Sequence, residues 1–236
     1  QPHYNSCRNR HCPNCQALAQ QAWIEARAEQ LLPVGHHHVV FTMPAQLRPL
    51  ARRHPREIYA LLFDAASETL TLLARDDLQA DLGITAVLHT WTRTLLFHPH
   101  VHCIVTAGAL TQDESRWIHR TGFLFHGARM KALFRARILA GLRRLRDRGR
   151  LTLPEDRDRP NDDAWRRLMT SLPPKDKWVV HIEAPFGRST HLLSYLGRYT
   201  HRVAISNFRL VALDDAHVTF RTHGNDTLSL SPDEFI

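Results

Sequence analysis

The chain has 236 residues, 43% of them hydrophobic and 23% charged, enough apolar material for one good core and a small appendage. Lysine and arginine number 31 against 23 acidic residues, and the net charge of +8, mostly arginine, favours a polyanionic partner. No apolar stretch approaches the roughly 20 residues of a membrane span and no signal peptide opens the chain, so no membrane role and a cytoplasmic home are expected.

"YNSCRNRHCPNCQ" (4–16) carries three of the four cysteines at C-x4-C-x2-C spacing. Without a secretory signal this spacing points to zinc sooner than to disulfides. Cys12 and Cys15 form a tight knuckle that can grip one tetrahedral ion, with Cys7 and either His11 or His3 to complete the set. The other half of such a ribbon is expected before residue 1. At the far end Ser231, Pro232, Asp233 and Glu234 read as a helix cap and first turn, so both ends look cut from a longer protein.

A helix follows to Pro33, then a strand over "HHHVVFTMP" (36–44), in which His37 faces away from His36 and His38, so the three cannot serve one ion. Residues 55–80 read as a long amphipathic helix, and "GITAVLHTWT" as a strand leading into "HPHVHCIV" (98–105). The short connection suggests an antiparallel pair, with the second strand starting after Pro99 and ending at Gly108. Alternation puts His100 and His102 on one face with Val101 on the other; His98 falls to the loop or to a supporting place behind the pair. Cys103 reads as a buried small hydrophobe.

After a short β segment, residues 129–150 hold nine basic residues and one acidic, with Met130, Leu133, Phe134, Ile138, Leu142 and Leu145 at helical spacing. A face this cationic, including Arg135, Arg143 and Arg144, suits a phosphate backbone. Residues 149–174 look like a surface excursion, and 177–187 a strand. The tail reads as short antiparallel strands.

Between them "STHLLSYLGRYTHRVAISN" reads as a helix returning to β structure at Val203–Ser206. His191, Tyr195 and Tyr199 fall at i, i+4 and i+8, one face with Arg198 and Arg202 beside it. These are the parts for phosphoryl transfer to tyrosine. A divalent ion on His100 and His102 would polarise a phosphodiester oxygen. A tyrosine oxygen, helped by Arg198, would attack phosphorus, leaving a 5′-phosphotyrosine and a free 3′-hydroxyl.

"HPHVHCIV", the downstream "YLGRYTHRVAISN" and the upstream knuckle, in that order, resemble the two-tyrosine rolling-circle transposases of the HUH endonuclease superfamily. "VVFTMP" resembles the first strand motif of related replication initiators. The resemblance implies an α+β fold, a ferredoxin-like antiparallel sheet with helices on one face, plus a small N-terminal zinc-binding segment. It implies Mg2+ or Mn2+ at the catalytic site, Zn2+ at Cys7, Cys12, Cys15 and His11, single-stranded DNA as substrate, and a nucleoid-associated place in a bacterial cytoplasm. Tyr195 and Tyr199 take the catalytic role, with the order of attack open; Arg198, Arg202, Arg135, Arg143 and Arg144 take the DNA-binding role. The third metal ligand is expected to be His191, one turn before Tyr195, with Glu183 the alternative and His201 behind it. Residues 1–32 would form the zinc-knuckle segment with its linking helix and 33–236 the catalytic domain.

Two other classes share these features. A zinc-containing DNA-binding protein, or a transposase remnant without catalysis, would use the knuckle and cationic helix alone. A zinc hydrolase on the histidine strand would need a water-activating carboxylate and would leave the tyrosines without a role.

Overall fold

The β-branched and aromatic run of "HHHVVFT" becomes strand β1, His36–Thr42, which lies at the heart of a four-stranded sheet. In this computed structural model the described residues are 13–119, 122, 125–156, 160–186, 193, 196, 197 and 209–235. After β1 come helices α2 (Arg48–Arg53) and α3 (Pro55–Leu78), with a proline at each start where a missing N–H costs nothing. α3 stops at Gln79, whose left-handed backbone (φ 48°) turns the chain and returns its N–H to Arg75. Strands β2 (Ala80–Asp81), β3 (Ile84–Trp91), β4 (Phe97–Thr106), β5 (Gly108–Thr111) and β6 (Trp117–His119) follow. Helices α4 (Gly127–Asp147) and α5 (Asp162–Ser171) precede β7 (Val179–Phe186).

The sheet order is β3-β4-β1-β7, and β1 runs antiparallel to both β4 and β7. With α3 between β1 and β3, and α4 between β4 and β7, this is the split β-α-β topology of a ferredoxin-like fold. The expected α+β class is thus the observed one.

One face of the sheet makes the core. Phe41 of β1 packs on Phe134 of α4 (centroids 5.0 Å apart), and Phe134 meets Trp178 edge-on at 5.6 Å. Val39, Val101, Cys103 and Val105 share that side and are fully buried. Alternation sends His36, His38, His100, His102 and Glu183 to the opposite face.

Three sequence expectations need correction. Pro99 lies inside β4 rather than before it, because its carbonyl still accepts from the Met43 N–H and its missing donor falls at the end of the ladder with β1. Gly108 opens β5 instead of merely ending the strand before it; a Cβ there would stand 2.6 Å from the Trp117 indole nitrogen, so only glycine fits. The 149–174 excursion contains α5, capped by Asn161 accepting from the Ala164 N–H with Asp162 and Asp163 in the first turn. Its Asp- and Arg-rich composition reads as loop, but the excursion is anchored by Asp156, which accepts from Arg146, Leu153 N–H and Asn161 N–H.

Two compact units emerge, one of Leu32–Leu88 with His98–Ser189, the other of the described residues up to Leu31, His89–Phe97 and those from 193 onward. The second holds α1 (Pro13–Ala28), the 92–96 turn and a three-stranded antiparallel sheet of β8 (Leu210–Leu213), β9 (Val218–Arg221) and β10 (Thr227–Leu230), as the tail pattern predicts. There Arg209 donates to the Arg93 carbonyl and Arg93 to Thr222, fastening the turn to the small sheet. No helix among the described residues is long and apolar enough to cross a membrane.

Candidate metal centre

β4 presents three imidazoles from one face. The ring centroids of His98 and His100 are 5.4 Å apart and those of His100 and His102 4.8 Å, as the two-residue repeat of a strand requires. Their surroundings differ. The Nδ1 of His100 lies 2.6 Å from the His98 carbonyl oxygen and donates to it, which turns Nε2 outward as an acceptor. Burial lowers the proton affinity of His100, keeping its ring in the neutral form that ligates metals. His98 instead accepts at Nδ1 from the Arg48 guanidinium at 2.7 Å, and burial followed by that cation lowers its pKa.

His89 belongs to β3, the neighbour of β4 in the sheet order. His89, His100 and His102 each offer a nitrogen, and these nitrogens all lie within 4.8 Å of one another. Three imidazoles with two of the rings buried suit a divalent ion of the Mn2+ or Zn2+ kind, so the donor set fits a metal. Sequence reading passed over His89. It sits on the strand preceding the histidine run, and pairing the two strands face to face would have aligned it.

Behind the triad, His102 Nδ1 lies 2.7 Å from His38 Nε2, and His38 Nδ1 lies 2.8 Å from Glu183 Oε2. The His38 and His102 ring planes are within 12° of each other. Glu183 stands directly across the β1–β7 ladder from His38, so register delivers it there. Glu183, the alternative third ligand, therefore bonds His38 and is not in the triad. His36 and His37 are buried on opposite faces, and burial lowers the pKa of each.

Other expected site residues are placed as follows. Cys103 is fully buried, its thiol pushed up to about 12 by burial, in keeping with a packing role. Arg135, Arg143 and Arg144 ride on α4, which covers the sheet face opposite the histidines, so the structure does not bring them to the triad. Parts of that helix's charge are already paired, Arg129 with Asp77 and Arg137 with Glu68. Cys7, His11, Cys12, His191, Tyr195, Arg198, Tyr199, His201 and Arg202 lie outside the described residues, as does the Cys15 side chain. Leu193, Leu196 and Gly197, from the tyrosine segment, are helical and buried.

Residues 83–236 match the family model Y2_Tnp, described as "Putative transposase", and residues 1–43 match a "Transposase zinc-binding domain". The chain is 43% identical over 243 residues to "Putative transposase y4qJ" of Sinorhizobium fredii (strain NBRC 101917 / NGR234), covering 99% of this chain and 61% of that protein. It is 32% identical over 209 residues to "Transposase for insertion sequence element IS801" of Pseudomonas savastanoi pv. phaseolicola, covering 87% of this chain and 48% of that one. It thus spans 61% and 48% of the lengths of these two relatives. A solved structure, "Conjugative Relaxase TrwC in complex with mutant OriT Dna", is similar over 45% of this chain and 43% of its own, at 18% identity and a TM-score of 0.35. With the transposase model spanning residues 83–236 and the zinc-binding model residues 1–43, the chain belongs to the Y2_Tnp transposase family.

Proposed function

We propose that this chain carries the catalytic part of a transposase that nicks and rejoins single-stranded DNA through a 5′-phosphotyrosine. The observation that carries the reading is the triad of His89, His100 and His102 on paired strands, in a chain of a transposase family. A divalent ion, Mg2+ or Mn2+, held there would polarise a non-bridging phosphodiester oxygen and offset charge developing in the transition state. His89 serves as third ligand in this reading, in place of His191.

The oxygen of Tyr195 or Tyr199 forms the new bond to phosphorus as the bond from phosphorus to the 3′-oxygen breaks. The phenolic proton is lost and the departing 3′-oxygen is protonated to a hydroxyl. The phosphotyrosine retains the energy of the broken ester, so a later 3′-hydroxyl can reverse the exchange at a new position without ATP. Arg198 and Arg202 would bind the backbone near the tyrosines, while the α4 arginines on the far side of the sheet would hold flanking DNA. Cys7, Cys12, Cys15 and His11 would hold Zn2+ in the N-terminal module.

The test is incubation with labelled single-stranded oligonucleotides from the element's ends in Mn2+, followed by denaturing electrophoresis. A labelled species that resists denaturant and disappears in the Tyr195→Phe/Tyr199→Phe double variant and in His100→Ala supports the reading. Oligonucleotide binding with no adduct across all terminal sequences overturns it in favour of a DNA-binding protein without catalysis.

A further inference from the structure

We infer that His38 and Glu183 are positioning residues that fix the proton of His102 on Nδ1, so that its Nε2 lone pair is held toward the metal. This rests on His102 being a ligand, as proposed above. The contacts form an unbroken line: Glu183 Oε2 at 2.8 Å from His38 Nδ1, and His38 Nε2 at 2.7 Å from His102 Nδ1.

Proton counting leaves one neutral arrangement of the two rings that satisfies both bonds with an ionised Glu183. The carboxylate can only accept, so His38 donates from Nδ1. His38 Nε2 is then an acceptor, and the proton of that bond must come from His102 Nδ1. His102 Nε2 then carries no proton, the form a ligand needs. Reversing the second bond would put protons on both nitrogens of His38, which is only 2% exposed, and place an N–H of His102 where the ion should sit. The remaining oxygen of Glu183 is 3.6 Å from the exposed His181, and the Glu183 side chain is 39% exposed, so the relay ends in a carboxylate that keeps contact with solvent.

His102 gains its partner through a second histidine, whereas His100 is held by a backbone carbonyl. The two ligands on one strand are therefore oriented by unlike means. Substitution can reach the first and not the second. Register enforces the arrangement, since His38 is paired across from Glu183 and lies diagonal to His102, which is paired with Val40.

Two readouts test this on the full chain with Mn2+ as probe. Imidazole 15N spectra of the metal-free protein should show His102 protonated at Nδ1. In His38→Leu the signal should move toward the Nε2–H tautomer. Mn2+ titration followed by EPR should show affinity falling about 10- to 100-fold in His38→Leu and in Glu183→Ala, the usual size for lost outer partners of a metal-bound histidine. His38→Gln, whose amide can donate to Glu183 and accept from His102, should restore most of it. Melting curves on each variant identify any that fail to fold, and the Gln variant then carries the comparison. Unchanged Mn2+ affinity in folded His38→Leu, or Nε2–H His102 in the wild type, overturns the relay. A wild type with Nδ1–H His102 that binds no Mn2+ overturns instead the metal reading on which it rests.

Discussion

The imidazole of His100 donates from Nδ1 to the backbone carbonyl of His98, a contact that belongs to the main chain and not to the His98 side chain. His98→Ala should therefore leave Mn2+ affinity close to that of the wild type, whereas His100→Ala should lower it by more than about 100-fold, beyond the loss from an outer partner. Mn2+ titration by EPR distinguishes them; equal losses would mean that the His98 ring itself ligates.

His89 enters the cluster from the neighbouring strand. His89→Ala should abolish measurable Mn2+ binding, and His191→Ala should retain it. The opposite result in the same titration would return the third place to the histidine before Tyr195.

Arg146 holds the Asp156 carboxyl well below the usual carboxylate range, with the Leu153 and Asn161 amides adding to it. Both side chains are nearly buried. Asp156→Ala leaves a cation and two amides without their acceptor and should cost about 3 kcal/mol in urea unfolding. The folded-state pKa is depressed, so this contribution is complete above the unfolded value near 4 and declines as pH falls toward the folded one. The gap between wild type and variant should hold constant from neutral pH down to about 5 and narrow only in stronger acid.

α3 and α4 touch at Gly141, where an added Cβ would meet Leu61 Cδ1 at 2.1 Å and Cγ at 3.2 Å. Alanine gains up to about 1 kcal/mol of helix propensity but overpacks a buried layer at about 1–3 kcal/mol, so Gly141→Ala should be net destabilising. Adding Leu61→Ala removes the clash. A double-mutant cycle in urea should show the pair less damaging than the sum of the two single changes.

The sheet was readable from sequence because "HHHVVFT" is rich in β-branched and aromatic residues, and because in "HVHCIVT" the period of two announces which residues share a face. The split topology is compatible with that pattern but comes from pairing, which no single strand encodes. His89 escaped notice for this reason. Alone in "TAVLHTW" it is one histidine on a half-buried strand, and only its neighbour makes it a ligand candidate. His38 escaped differently. Its strand placed it correctly opposite His37, yet its partner Glu183 is 145 residues away, and local spacing carries no information about that contact. α5 was hidden by composition, since Asn161, Asp162 and Asp163 suit a loop and a helix start equally well.

Residues 100–105 of β4 write core and chemistry in alternate letters: Val101, Cys103 and Val105 on the packed side, His100 and His102 on the other. Deleting or inserting one residue within this stretch would exchange the two messages, sending imidazoles into the hydrophobic interior and valines to the histidine face. Loss of folding and loss of the site are then the same event. Mutational drift in this strand can proceed by substitution at single positions, but its reading frame along the sheet is closed to change.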